Sequence, residues 1–158
     1  MSDTSRLEIV TRSSNETESI GEHIGRALHG GEIIELSSDL GGGKTTLVRG
    51  LARGAGSSDV VSSPTFTISK VYVAACLEIH HFDFYRLGEA GIMQQELAEL
   101  VGDPTLVLVI EWSDIIQDVL PAQRAILRIE RLAEGEDARK LILEYPKSLD
   151  YLVAGIKA

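Results

Sequence analysis

The segment Glu32-Ile33-Ile34-Glu35-Leu36-Ser37-Ser38-Asp39-Leu40-Gly41-Gly42-Gly43-Lys44-Thr45-Thr46 constrains this chain more than any other. It reads as a hydrophobic strand, a glycine-rich loop and the start of a helix. Leu47, Val48, Leu51 and Ala52 then recur at helical spacing. Glycines let successive backbone N–H groups curl into an anion-binding concavity without Cβ clashes. The first turn of the helix adds unpaired N–H donors and the positive end of its dipole. The layout therefore predicts a phosphate-binding loop over Asp39, Leu40, Gly41, Gly42, Gly43, Lys44, Thr45 and Thr46. Lys44 is placed to reach the β/γ-phosphates, and the Thr45 hydroxyl to ligate Mg²⁺. The usual pattern is G-x-x-x-x-G-K-[ST], and its first glycine is Ser38 here. That glycine often takes a conformation costly for other residues, so the turn at Ser38 must differ slightly.

At 158 residues the chain reads as one domain over 1–158, long enough to bury a proper core. Hydrophobic content of 44% and charged content of 25% are those of an ordinary globular protein. The longest apolar run, Leu106 to Ile110, is far too short to span a bilayer. Met1-Ser2-Asp3-Thr4-Ser5-Arg6 lacks the apolar core of a signal peptide, so a cytoplasmic protein without a membrane partner is expected. The single cysteine, Cys76, excludes an internal disulfide and reads as a small strand residue. A net charge of −9 and a pI near 4.9 make a poor autonomous grip on a nucleic-acid backbone. If nucleic acid is involved, a partner holds it.

Leu7 to Thr11 reads as a first strand, and Ser13-Ser14-Asn15 as helix-capping residues. Ile20, Ile24, Ala27 and Leu28 form one apolar helix face, stopped by Gly30-Gly31. The helix from Lys44 runs to Gly54-Ala55-Gly56. Thr65 to Val73 and Cys76 to Tyr85 read as a β-hairpin. Glu89 to Val101 is helical, and Leu106 to Ile110 is a strand covered on both sides. A short helix or turn over Asp114 to Leu120, a hairpin of Ala125 to Arg131 with Lys140 to Tyr145, and a weakly helical tail complete the chain. Together these predict an α/β domain with a mixed parallel and antiparallel sheet flanked by helices. Its site belongs at the C-terminal ends of the central strands.

Three further segments carry chemistry. Glu111-Trp112 directly follows the apolar strand, where an acid suits the Mg²⁺ side of a nucleotide site, directly or through water. In His81-Phe82-Asp83-Phe84-Tyr85-Arg86, strand alternation puts His81, Asp83 and Tyr85 on one face and Phe82 and Phe84 on the other. The polar trio is expensive to bury without partners, so it faces solvent or a site. Asp83 can orient an attacking water or hold Mg²⁺ through one. His80 reads as packing, and His23 and His29 as surface residues. Ser62-Ser63-Pro64-Thr65-Phe66 places Thr65 where many NTPases carry a γ-phosphate-sensing switch.

Leu40-Gly41-Gly42-Gly43-Lys44-Thr45-Thr46, Ser63-Pro64-Thr65-Phe66, His81-Phe82-Asp83-Phe84-Tyr85-Arg86 and Ile110-Glu111-Trp112 follow one another in the order and spacing of one family. In this the chain resembles the TsaE (formerly YjeE) family, over roughly Asn15 to Trp112. The resemblance implies a P-loop ATPase, using ATP and Mg²⁺ and returning ADP, that works with TsaB and TsaD in tRNA threonylcarbamoyladenosine modification. It implies that tRNA reading ANN codons is met only through that complex. By the same resemblance Lys44 binds phosphate, Thr45 and Glu111 hold Mg²⁺, and Asp83 is needed for hydrolysis. Thr17 and Trp112 lie by the nucleotide, and Thr65 in the switch-like loop. The family usually has Gly where this chain has Ser38, and Ala where it has Gly42.

A small-molecule kinase also uses a P-loop, Mg²⁺ and an acid. It normally needs an arginine-bearing lid, and Arg124, Arg128, Arg131 and Arg139 stand mostly in strand-like patterns. A GTPase lacks its Asn-Lys-x-Asp segment here. A nucleotide-sensing module without turnover differs from a slow ATPase only in kinetics.

Overall fold

A computed structural model describes residues 3–38, 42–64, 67–84 and 91–157. Strands β1 (Thr4–Thr11), β2 (Ile33–Ser37), β3 (Ser69–Val73), β4 (Glu78–Asp83), β5 (Leu106–Glu111), β6 (Ala125–Arg131) and β7 (Arg139–Pro146) form one sheet in the order β1-β7-β6-β2-β5-β4-β3. β4, β5, β2 and β6 run parallel, while β3, β7 and β1 are antiparallel to their neighbours. The mixed sheet is the one the sequence predicts. Helices α1 (Ser14–Ala27) and α2 (Lys44–Ala55), with a 3-10 segment Lys147–Leu152, cover one face. Helix α3 (Gly91–Leu100) and the segment around Ile116 cover the other, over β2, β5 and β4. Every residue of β5 is buried, which explains its unbroken apolar run.

Local sequence accounts for the element ends. Ser13 caps α1, its Oγ accepting from Glu16 N at 3.1 Å, while Glu16 reaches back to Arg12 N at 2.6 Å. Gly56, with φ +98, closes α2 in the left-handed cap. Strand β3 starts at Ser69 rather than Thr65. Thr67 and Ile68 N–H both turn back to the Pro64 carbonyl, and Ile68 takes φ +68, which no strand can use. The hairpin turn spans Ala74 to Leu77, so Cys76 is an exposed turn residue and not a strand residue. The first strand extends back to Thr4, and β5 runs through Glu111.

Helices α1 and α2 meet backbone to backbone. A Cβ on Gly25 would lie 2.1 Å from the Leu51 carbonyl oxygen, and one on Gly50 would lie 1.9 Å from that of Glu18. Gly21 and Gly54 are equally tight, at 2.3 and 2.1 Å. No side chain fits there, so α1 fixes the axis of the helix that the glycine loop enters.

At the far end of the sheet, Glu32 accepts from His29 N, Gly30 N and Tyr151 OH, each at 2.7 Å. His29 stacks on Tyr151 with ring centroids 4.3 Å apart, and half-buried His23 donates to the Ala154 carbonyl. Among the described residues no helix is long and apolar enough to cross a membrane.

Candidate functional site

The parallel strands bring their C-terminal ends together. Glu111, the last residue of β5, lies between Leu36 of β2 and Asp83 of β4 in register. His81 and Asp83 share a face of β4 with Ile79, while Phe82 and Phe84 join the opposite core. This is the alternation the sequence predicts, and the polar residues face α2. They are buried, not solvated: His81 is 0%, Asp83 3% and Glu111 3% exposed.

Gly43 is the N-cap of helix α2, and its φ of +110 suits glycine and few other residues. Gly43 brings no capping side chain, and among the described residues the Lys44, Thr45 and Thr46 end of the helix can take an anion. Lys44 is 8% exposed, and its Nζ lies 3.4 Å from Glu111 Oε1. The same ammonium stands 5.1 Å from the centre of the Trp112 ring. Trp112 has φ +58, an uncommon conformation for a bulky residue. It turns the chain immediately after Glu111 and brings the indole beside Lys44. A cavity of about 140 Å³ opens here, lined by Glu35, Ser37, Ser38, Lys44, Trp112 and Asp114 among others.

The other oxygen of Glu111 is taken as well: His81 Nε2 lies 2.6 Å from Oε2. The Tyr72 hydroxyl stands 3.4 Å from His81 Nδ1 and donates to the Ser62 carbonyl at 2.9 Å. Asp83 N–H donates to the carbonyl of strained Ile68 at 2.8 Å. The loop before β3 is thus strapped to both acidic strand ends.

A divalent cation fits this donor set. Glu111 supplies a buried carboxylate and Thr45 a hydroxyl in the first turn of α2, with Asp83 one strand away. Hard cations prefer such oxygens, and Mg²⁺ completes its shell with water and phosphate. No group of three or more His, Cys, Asp or Glu among the described residues could hold a metal alone. The pattern suits a cation brought with a phosphate ligand.

Of the sequence candidates, Gly42, Gly43, Lys44, Thr45, Thr46, Asp83, Glu111 and Trp112 gather at this end of the sheet. Thr17 lines a small cleft with Gly43, Thr46 and Arg139, and its hydroxyl pairs with Thr11 Oγ1 at 2.7 Å. Asp39, Leu40, Gly41, Thr65, Tyr85 and Arg86 lie outside the described residues.

Sequence reasoning missed two features. Arg139 Nε donates to the Gly42 carbonyl at 2.8 Å, and its Nη1 to the Glu136 and Ala138 carbonyls, tying the β6–β7 hairpin to the glycine loop. Glu35, on the α3 side of β2, is held by Arg124 at 2.6 Å. Both contacts join residues some ninety positions apart, which no local pattern marks.

The family model described as threonylcarbamoyl adenosine biosynthesis protein TsaE matches residues 11–141. The chain belongs to the TsaE family. It is 35% identical to the tRNA threonylcarbamoyladenosine biosynthesis protein TsaE of Bacillus subtilis (strain 168), over 86% of this chain and 84% of the relative. Against the TsaE of Treponema pallidum the identity is 35%, over 82% and 95% of the two chains. Against that of Streptomyces coelicolor it is 38%, over 75% and 81%. The crystal structure of Bacillus subtilis YdiB superposes with a TM-score of 0.76 at 29% identity, covering 94% of this chain and 92% of that one. TsaE membership and this neighbour agree with the α/β architecture described above.

Proposed function

We propose that this chain is the Mg²⁺-dependent ATPase of tRNA threonylcarbamoyladenosine synthesis, a single 158-residue domain acting with TsaD and TsaB. The observation that carries the reading is the buried Lys44–Glu111 contact at the start of α2, whose N-cap Gly43 brings no capping side chain. A lysine held against a carboxylate at a glycine-rich helix entry is stored where polyphosphate would claim it. Backbone N–H groups of Gly42 to Thr46 bind the phosphates, and Lys44 exchanges Glu111 for their oxygens. Thr45 and Glu111 are the residues that would hold Mg²⁺. When bound, the ion neutralises charge developing on the phosphoryl oxygens. Asp83, in register with Glu111, orients the attacking water. Trp112 and Thr17 flank the nucleotide. The net charge of −9 supports a protein that meets tRNA through a complex and not by its own grip.

Phosphate release from Mg-ATP tests this, first with the protein alone and then with TsaB, TsaD and tRNA. Turnover that rises with the partners and disappears in Asp83→Ala, with nucleotide still bound, is the expected result. Nucleotide binding with no partner-dependent turnover would leave a sensing module instead.

A further inference from the structure

His81 is 0% exposed, yet none of the functional roles above uses it. It sits on β4 between Lys70 of β3 and Val109 of β5. An apolar side chain would fill that position without leaving polar atoms to satisfy, and burying an imidazole costs free energy unless its nitrogens are bonded. Both nitrogens have neighbours. Nε2 lies 2.6 Å from Glu111 Oε2, and with Glu111 as a carboxylate Nε2 is the donor. Nδ1 faces the Tyr72 hydroxyl at 3.4 Å, which is anchored on the Ser62 carbonyl at 2.9 Å.

The consequence lies in the two oxygens of Glu111. Oε2 is occupied by His81, and only Oε1 turns to Lys44, at 3.4 Å. From this geometry we infer that His81 is a positioning residue that makes Glu111 a one-oxygen ligand. It reserves Oε2 and turns Oε1 toward Lys44 and the cation, while the Tyr72 hydroxyl, which donates to the Ser62 carbonyl, stands against the other edge of the imidazole. The inference rests on the nucleotide–metal reading above and extends it to a residue that touches neither phosphate nor metal. Groups that orient a ligating carboxylate typically change metal affinity about 10–100-fold when removed.

The probe is Mn²⁺ uptake in the presence of ADP, followed by loss of the free Mn²⁺ resonance, together with ADP affinity in metal-free buffer. Two variants of similar size and polarity separate positioning from packing. His81→Gln puts an amide nitrogen near the place of Nε2, whereas His81→Asn places it near Nδ1, short of Glu111. We expect Mn²⁺ affinity to fall about 10–100-fold in His81→Asn and to be largely restored in His81→Gln, with metal-free ADP affinity equal in both. Equal loss in the two variants, or none in His81→Asn, would overturn the inference. If neither variant folds, the wild-type protein decides: ¹⁵N spectra of its labelled imidazoles with Mg²⁺ and ADP should show the His81 proton on Nε2, and a proton on Nδ1 alone would overturn the inference. Failure of the wild-type protein to take up Mn²⁺ with ADP would instead remove the nucleotide–metal reading itself.

Discussion

Lys44 lies against a carboxylate and an indole rather than in water. Leaving Glu111 for a phosphate exchanges one anionic partner for another instead of stripping the buried lysine bare. Trp112 is the single tryptophan of the chain, which makes the exchange visible. Adding ADP should change its fluorescence as Lys44 moves from the ring. Lys44→Ala should lose that response and weaken ADP binding by about 100-fold, the loss of roughly 3 kcal/mol of charge-assisted contact. A variant that keeps wild-type affinity would remove Lys44 from the phosphate site. At this scale the sequence was legible where chemistry is written locally. Lys44 and Thr45 follow a glycine run, and Glu111 ends an apolar run. Asp83 was legible through strand alternation. His81 was read only as a polar residue facing solvent or a site, because its bond to Glu111 spans thirty positions and depends on the β4–β5 register. Arg139 looked like an ordinary strand residue for the same reason, and only the hairpin's placement shows it holding the Gly42 carbonyl.

The elements are tied by the two helices on the site side of the sheet. Gly21 and Gly25 on α1 and Gly50 and Gly54 on α2 interlock, each taking the other helix's carbonyls where a side chain would stand. Close Cα–H···O contacts of this kind add modestly to helix packing. The spacing was present in the sequence, yet Gly54 read as part of the helix stop. A glycine four residues from another fits a stop or a contact equally well until the partner helix is in place. Gly50→Ala separates the two effects. In an exposed helix the change would stabilise by about 0.5–1 kcal/mol. Here the new methyl would meet the Glu18 oxygen at 1.9 Å and the Glu22 nitrogen at 2.9 Å, both backbone atoms that cannot rotate away. Overpacking of that kind costs about 1–3 kcal/mol or more, which for a domain of this size lowers the melting temperature by several degrees. Calorimetry of Gly50→Ala should show that fall, and a rise would mean that the helices separate freely. Because α2 carries Lys44 at its start, the same variant should also weaken ADP binding.

Across the whole molecule, a buried phenol, Tyr72, and a half-buried one, Tyr151, stand at opposite ends of the sheet. Tyr72 lies beneath the site, and burial raises its pKa, with the Glu111 charge adding to the effect. Tyr151 lies at the other end, where burial and then its bond to Glu32 push its pKa upward. The parallel centre and hairpin flanks were legible as patterns of runs and turns. This clamp was not, since it joins Glu32 to a residue 119 positions later in the tail. Both shifts have the same sign. The folded protein holds phenol protons that the unfolded chain releases near pH 10, so their stabilising contribution is complete below that pH and is lost as pH rises toward the folded values. Each delayed phenol steepens the decline by up to about 1.4 kcal/mol per pH unit. Urea unfolding between pH 8 and 11 should show this for the wild type. Tyr151→Phe should be less stable at pH 8, because Glu32 loses a hydrogen bond while keeping those from His29 and Gly30 N–H. It should also lose stability less steeply above pH 10, so the two curves converge. Parallel curves over that range would mean that Tyr151 ionises as readily in the folded protein as in the unfolded chain, and that its clamp on Glu32 carries no proton linkage.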